Sequence, residues 1–370
     1  MGMKGKLLIG TAVATYLAVV GCVVWPGAPA ATRPGGGGDA FPSHAPQAKL
    51  TGLPLRGIAM QIQDPRNLDP YLKGVDEIAA TGADTVEFVV SARMEHGRSS
   101  RIFIDQRTSP SRGQLEQLID RAKQNKLRVM LMPIVLLEAP RGNEWRGTIN
   151  PENGAGNGWD EWFESYQSML RYYAEIAEHG KVELFVVGSE LVSTEAHAAE
   201  WGRAIALVRS VYHGMLTYSS NWDHYESIPF WEQLDIIGMN SYWKLGGKNA
   251  PVDEIVGRWR DIQKDLMAFS NRKNKPILLT EVGWCSMGNA PYEPWDYTKA
   301  EEPLDLDVQR RLYEGFFRSW YGNPNMAGFM VWEWEPFSDG GPQNRSYTPK
   351  GKPAEKVLRD YLDKGPWEVK

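Results

Sequence analysis

Between residues 53 and 363 one alternation repeats: a short apolar run, then a longer stretch whose apolar positions recur at helical spacing. The apolar runs are RGIAMQI (Arg56 to Ile62), TVEFVV (Thr85 to Val90), RVMLMPIV (Arg128 to Val135) and ELFVVGSE (Glu183 to Glu190) in the first half. LTYSSNW (Leu216 to Trp222), DIIGMNSYW (Asp235 to Trp243), PILLTEVGW (Pro276 to Trp284) and GFMVWEW (Gly328 to Trp334) follow in the second. Helical patterns lie at about Pro70 to Ala80, Arg112 to Gln124, Trp159 to Glu178, Glu195 to Tyr212, Asp253 to Phe269, Leu306 to Trp320 and Pro353 to Asp363. Only a short helical piece near Phe230 separates the fifth and sixth runs. The runs are rich in Val, Ile, Leu and Met, as strands covered on both faces are. Eight such units predict an α/β chain folded as a (β/α)8 TIM barrel, an architecture of about 250 residues. The rival, an open doubly wound sheet, calls for a Gly-rich phosphate turn after its first strand. IAMQIQDPRN has none.

The alternation does not reach the N-terminus. Lys4 and Lys6 precede an apolar run from Leu7 to Trp25, the pattern of an export signal. VVGC (Val19 to Cys22) resembles a lipobox that would lipidate Cys22; the run is also nearly long enough to remain as a membrane anchor, and APA (Ala28 to Ala30) offers an ordinary cleavage site. Each alternative places the remainder outside the cytoplasm, tethered to a membrane or secreted. The Pro- and Gly-rich stretch from Trp25 to Lys49 reads as a spacer. The expected organisation is therefore a signal or anchor over 1–25, a linker over 26–50 and one barrel domain over 51–370.

Composition narrows the function classes. A net charge of −5 without Lys/Arg runs argues against a nucleic-acid partner. The six His and two Cys show no zinc spacing, so neither a metal nor a cofactor is expected. With Cys22 in the leader, Cys285 stands alone in the domain. Fifteen Trp and fifteen Tyr suit sugar stacking, and equally suit a core.

In such a barrel the chemistry gathers at the C-terminal strand ends. Here those ends carry Ser189 and Glu190, Asn221 and Trp222, Asn240 and Tyr242, Glu281 and Trp284, and Trp332, Glu333 and Trp334. Glycosidic hydrolysis needs two carboxyls flanking the bond, one to protonate the leaving oxygen and one to attack or to activate water. Glu at the ends of the fourth and seventh strands is the layout of the large retaining-glycosidase clan. In VVGSEL, GMNSYW, ILLTEVGW, APYEPWDY and GFMVWEW the chain most resembles glycoside hydrolase family 113, a family of endo-β-1,4-mannanases.

The resemblance implies a retaining glycosidase acting on mannan or glucomannan. Glu190 would be the general acid/base, with a raised pKa, and Glu281 the nucleophile, kept ionised. Tyr242 would hydrogen-bond the nucleophile, Trp332 would floor the cleavage subsite and Arg93 would support the nucleophile. Trp222, Trp284 and Trp334 are further candidates for sugar contact, although Trp332 and Trp334 share strand parity and one of them could be packing. Much of the clan has Asn before the acid, where this chain has Ser189, so Asn221 or Asn240 is a candidate for the sugar 2-hydroxyl. Glu333 and Glu335 read as solvated or structural. Two other functions remain open on sequence: the same mechanism on another β-glycan such as a glucan, a galactan or an oligosaccharide, and a non-catalytic carbohydrate-binding barrel at the surface. Oligomeric state and endo or exo action are not legible; the segments Glu138 to Trp162 and Cys285 to Glu302 should decide the latter.

Overall fold

The computed structural model describes residues 52–152, 157–299 and 301–365. The export signal, Cys22 and the spacer lie outside them. Eight parallel strands close into a barrel in chain order: β1 (Leu55–Ile62), β2 (Thr85–Met94), β3 (Arg128–Leu137), β4 (Leu184–Ser189), β5 (Met215–Ser220), β6 (Ile237–Asn240), β7 (Ile277–Val282) and β8 (Met326–Val331). β8 pairs with β1 and completes the ring. Around it stand α1 (Asp69–Ala79), α2 (Arg112–Gln124), α3 (Gly158–His179), α4 (Ala198–Arg209), α5 (Val252–Lys273), α6 (Leu306–Trp320) and α7 (Pro353–Leu362). Between β5 and β6 the described chain makes two single-turn 3-10 pieces in place of an α-helix.

Local chemistry fixes the helix ends. Ser111 and Gln114 form a capping box on α2, and Asp305 caps α6 by accepting from the Val308 N–H. α5 begins with Asp253 and Glu254 and ends with Arg272 and Lys273, matching its dipole, before Asn274 turns left-handed.

Two apolar layers result. Met130, Met132, Leu184, Val186, Leu278 and Met330 fill the barrel interior. A larger layer between strands and helices contains Val86, Phe88, Trp162, Tyr166, Trp201, Tyr218, Trp259 and Phe316. At the N-terminal floor the Asp84 carboxylate accepts from Arg56 and Arg128, and Arg56 Nη1 donates to the Leu362 carbonyl at 2.7 Å. This ties β1, the end of α7 and the start of β3 together beneath the core.

Most strands stop before the apolar runs do. β5 and β6 end at Ser220 and Asn240, where side chains take over backbone pairing: Asn240 Oδ1 accepts from the Trp222 N–H at 2.8 Å. β4 ends at Ser189 because Glu190 has φ +56°, a left-handed conformation uncommon outside Gly.

Candidate active site

Register slips aim the two glutamates. β4 slips against β5 between Val186 and Ser189, and β7 slips against both neighbours around Thr280 and Glu281. Such irregularities re-aim side chains at barrel rims. In β4 the slip is set by Gly188, where an added Cβ would lie 2.7 Å from the Tyr166 hydroxyl and 2.8 Å from Trp201. In β7 two successive residues turn toward the barrel axis: the Thr280 hydroxyl meets Ser219 Oγ at 2.7 Å, and Glu281 reaches the mouth beside Tyr242.

Glu190 is 1% exposed and Glu281 5%. Asn240 Nδ2 donates to Glu190 Oε1, and Arg146 Nη1 stands 3.7 Å from Glu190 Oε2. Tyr242 Oη donates to Glu281 Oε2 at 2.8 Å, and Ser241 Oγ donates to the Glu281 carbonyl at 2.7 Å. Burial raises both carboxyls. It acts on Glu190 against the opposing pull of Arg146 and Asn240, and with the nearby Glu190 it brings Glu281 to about 8. Burial and their mutual repulsion thus both favour a proton on the pair. The Tyr242 hydrogen bond and Arg146 oppose this on Glu281 and favour the ionised form expected of a nucleophile. One carboxyl holding a proton beside one that has lost it is what donation to a leaving oxygen and attack on carbon require.

Of the amide candidates, Asn240 touches the acid and Asn221 touches Asn240. Asn240 is engaged with Glu190, the Trp222 backbone and Asn221, whose Oδ1 it reaches at 3.2 Å. It is thus spoken for before any sugar arrives. Ser189 is buried, and its hydroxyl has no hydrogen-bond partner among the described residues.

The aromatic candidates divide. Trp332 is partly exposed and packs both on the barrel interior and on a cluster at the mouth formed by Tyr242, Cys285, Met287, Trp295 and Tyr347. Trp222, also partly exposed, lies near-parallel to Trp295, with ring centroids 6.4 Å apart and planes 14° from parallel. Trp284 and Trp334 do not face the mouth. Trp284 is fully buried among Trp259, Tyr313 and Phe316. Trp334 is 1% exposed and donates its indole N–H to Glu77 on α1 at 2.8 Å. Of the two tryptophans with shared parity, Trp334 is thus the packing one; β8 stops at Val331, so strand alternation does not extend over them.

Arg93 is drawn aside. Its Nε donates to Thr108, and its charge lies among Asp105 and Glu138. The cation that bears on both glutamates is Arg146, from a 3-10 turn after β3 that carries no strand signal. Two more carboxyls act electrostatically with Glu281. Glu333 is partly buried and held by the Gln61 amide at 2.9 and 3.0 Å, and burial raises it above the usual carboxylate range. Glu87, on β2 within the barrel, is fully buried with neither oxygen hydrogen-bonded to a described residue; burial and Glu281 hold it well above the usual carboxylate range. A Glu inside the apolar TVEFVV run was the signal for it. Among the described residues no group of three or more His, Cys, Asp or Glu gathers to hold a metal ion.

Comparison with known proteins follows the same lines. The model of Glycoside Hydrolase Family 113 matches residues 71–352. The family 113 β-mannanase AaManA from Alicyclobacillus acidocaldarius, in complex with ManMIm, superposes with a TM-score of 0.75 at 29% identity, covering 84% of this chain and 97% of its own. A family 113 β-1,4-mannanase in a complex structure gives 0.74 at 26% identity over 84% and 98%. A β-glucuronidase from Ruminococcus gnavus, with 14% identity and a TM-score of 0.56 over 84% and 49%, shares the fold. No protein with a curated description matches the sequence significantly.

Proposed function

The chain belongs to glycoside hydrolase family 113, and from that membership we propose that this glycosidase is a retaining β-1,4-mannanase acting on mannan or glucomannan. The observation that carries the reading is the buried pair Glu190 and Glu281 at the ends of β4 and β7, with Asn240 donating to Glu190 and Tyr242 to Glu281. The substrate class rests on the two β-mannanases to which the chain is 29% and 26% identical.

In this mechanism Glu281 attacks the anomeric carbon while Glu190 passes its proton to the glycosidic oxygen, and the shortened chain leaves. Glu190, now a base, takes a proton from water as the water displaces Glu281 and restores the original anomeric configuration. Tyr242 stabilises the charge on Glu281 before attack, and Asn240 holds Glu190 in place. Trp332 and Trp222 offer apolar faces to the sugars on either side. Arg146 balances the negative charge that the pair carries.

The test is the configuration of the first product formed from mannan, read by proton NMR, together with a panel of β-glycans. Retention on mannan supports the assignment. An inverted first product rejects double displacement, and turnover of other β-glycans without mannan rejects the substrate. For the N-terminal segment we propose export, with the barrel tethered to a membrane or secreted.

A further inference from the structure

Behind Glu190 lies a buried polar chain that the mechanism above does not use. The residue after the acid, Leu191, donates its backbone N–H to the Tyr218 hydroxyl at 2.9 Å. Tyr218 Oη in turn donates to Glu195 Oε1 at 2.8 Å. Tyr218 is fully buried on the outer face of β5, and Glu195 is 5% exposed. The other Glu195 oxygen faces His224 Nδ1 at 3.9 Å, at the edge of the solvent. The turn that carries Glu195 is fixed locally by the Thr194 hydroxyl, which donates to the Leu191 carbonyl at 2.7 Å. Glu195 lies where the sequence pattern expects the first turn of α4, yet the helix begins only at Ala198. The carboxyl has left the helix for the tyrosine.

This chain meets Glu190 at its weakest point. A left-handed non-Gly residue is held only where its surroundings over-determine it. The Glu190 N–H is bonded to the Ser219 carbonyl at 2.9 Å, which fixes one side of the residue. The Leu191 N–H belongs to the peptide on the other side, and Tyr218 is the group that binds it. We propose that Tyr218 and Glu195 are positioning residues for proton transfer: they lock the peptide after Glu190 so that its carboxyl is presented at the leaving oxygen. The inference rests on the reading of Glu190 as the acid.

The phenol is suited to this role because it accepts and donates at once. Glu195 orients it by accepting its O–H hydrogen bond, which leaves the oxygen lone pairs for the Leu191 N–H. Misplacing a catalytic group by about 1 Å costs about a hundredfold in rate, so loosening this lock should be visible in the chemical step.

The experiment compares Tyr218→Phe, Glu195→Gln and Glu195→Leu with the parent on two substrates. One is mannan, whose leaving group needs a proton; the other is a dinitrophenyl β-mannobioside, whose leaving group does not. The readout is kcat/KM, which reports the glycosylation step. Tyr218→Phe and Glu195→Leu should lose about tenfold to a hundredfold on mannan, and less than about threefold on the activated glycoside if proton donation is the only step impaired. Glu195→Gln keeps an acceptor oxygen and should restore most of the mannan activity. Equal losses on both substrates mean a merely structural role and overturn the proposal, as does undiminished mannan activity in Tyr218→Phe. Glu190→Ala run beside them separates the two readings. If it shows no dependence on the leaving group, the assignment of the acid fails and the positioning role falls with it; if it does, the outcome for Tyr218 and Glu195 stands on its own. Thermal unfolding of each variant confirms that it is folded.

Discussion

Tyr242 donates a phenolic hydrogen bond to Glu281 across 2.8 Å, from just past the end of β6 to the end of β7. This bond favours the charged form of a carboxyl that burial and Glu190 both push toward neutrality. Removing the donor by Tyr242→Phe should raise the Glu281 pKa further. The acid limb of kcat/KM against pH should therefore move to higher pH, with the heaviest loss on the acid side. A profile that keeps its shape and only drops in height would contradict the role.

Arg146 acts on both carboxyls and lowers both. Replacing it with Gln takes away a positive field without removing a hydrogen-bonding side chain. Both limbs of the bell-shaped profile should then shift toward higher pH together. Movement of one limb alone would show that the guanidinium serves one glutamate only.

Glu87 is held well above the usual carboxylate range, so the folded chain keeps its proton where the unfolded chain loses it. For a group raised on folding, stability is fully present below the unfolded pKa and drains away as pH rises toward the folded one. The drain is about 1.4 kcal/mol for each pH unit between the two values. Glu87→Gln, a neutral isostere, should be more stable than the parent near pH 8, with the difference shrinking toward pH 4. Thermal melts across that range test it, and a difference independent of pH would show that Glu87 is not the titrating group.

Two tryptophans assigned together from sequence should respond oppositely. Trp334→Ala empties a core position and leaves Glu77 without its indole donor; losses of about 3–5 kcal/mol are usual for such changes. Trp222→Ala should leave the melting temperature nearly unchanged and raise KM for mannan several-fold. The contrast is read from melts and initial rates on the same preparations, and a stable, high-KM Trp334→Ala would reverse the assignment.

These cases also show where reading from sequence succeeds. The order of strands and helices follows from apolar spacing alone, because parallel strands buried on both faces leave runs that loops do not imitate. The strand-end positions of Glu190, Glu281 and Tyr242 were legible through the motifs around them. Strict alternation would have turned Glu281 away from the axis, since Leu278 and Thr280 already face it; only the slip in β7 brings it back. The resemblance points to Arg93 at the end of β2, whereas Arg146 acts from a turn whose sequence has no periodicity. Glu195 was masked by helical spacing that its own hydrogen bond interrupts.

The Asp84 knot at the barrel floor carries a practical consequence. β1 begins there, and the last turn of α7 is pinned there through the Leu362 carbonyl. Both ends of the folded domain thus point away from the cleft. A resin, a fusion partner or a lipid joined to either end would hang from the underside and leave the strand ends that carry Glu190 and Glu281 unobstructed.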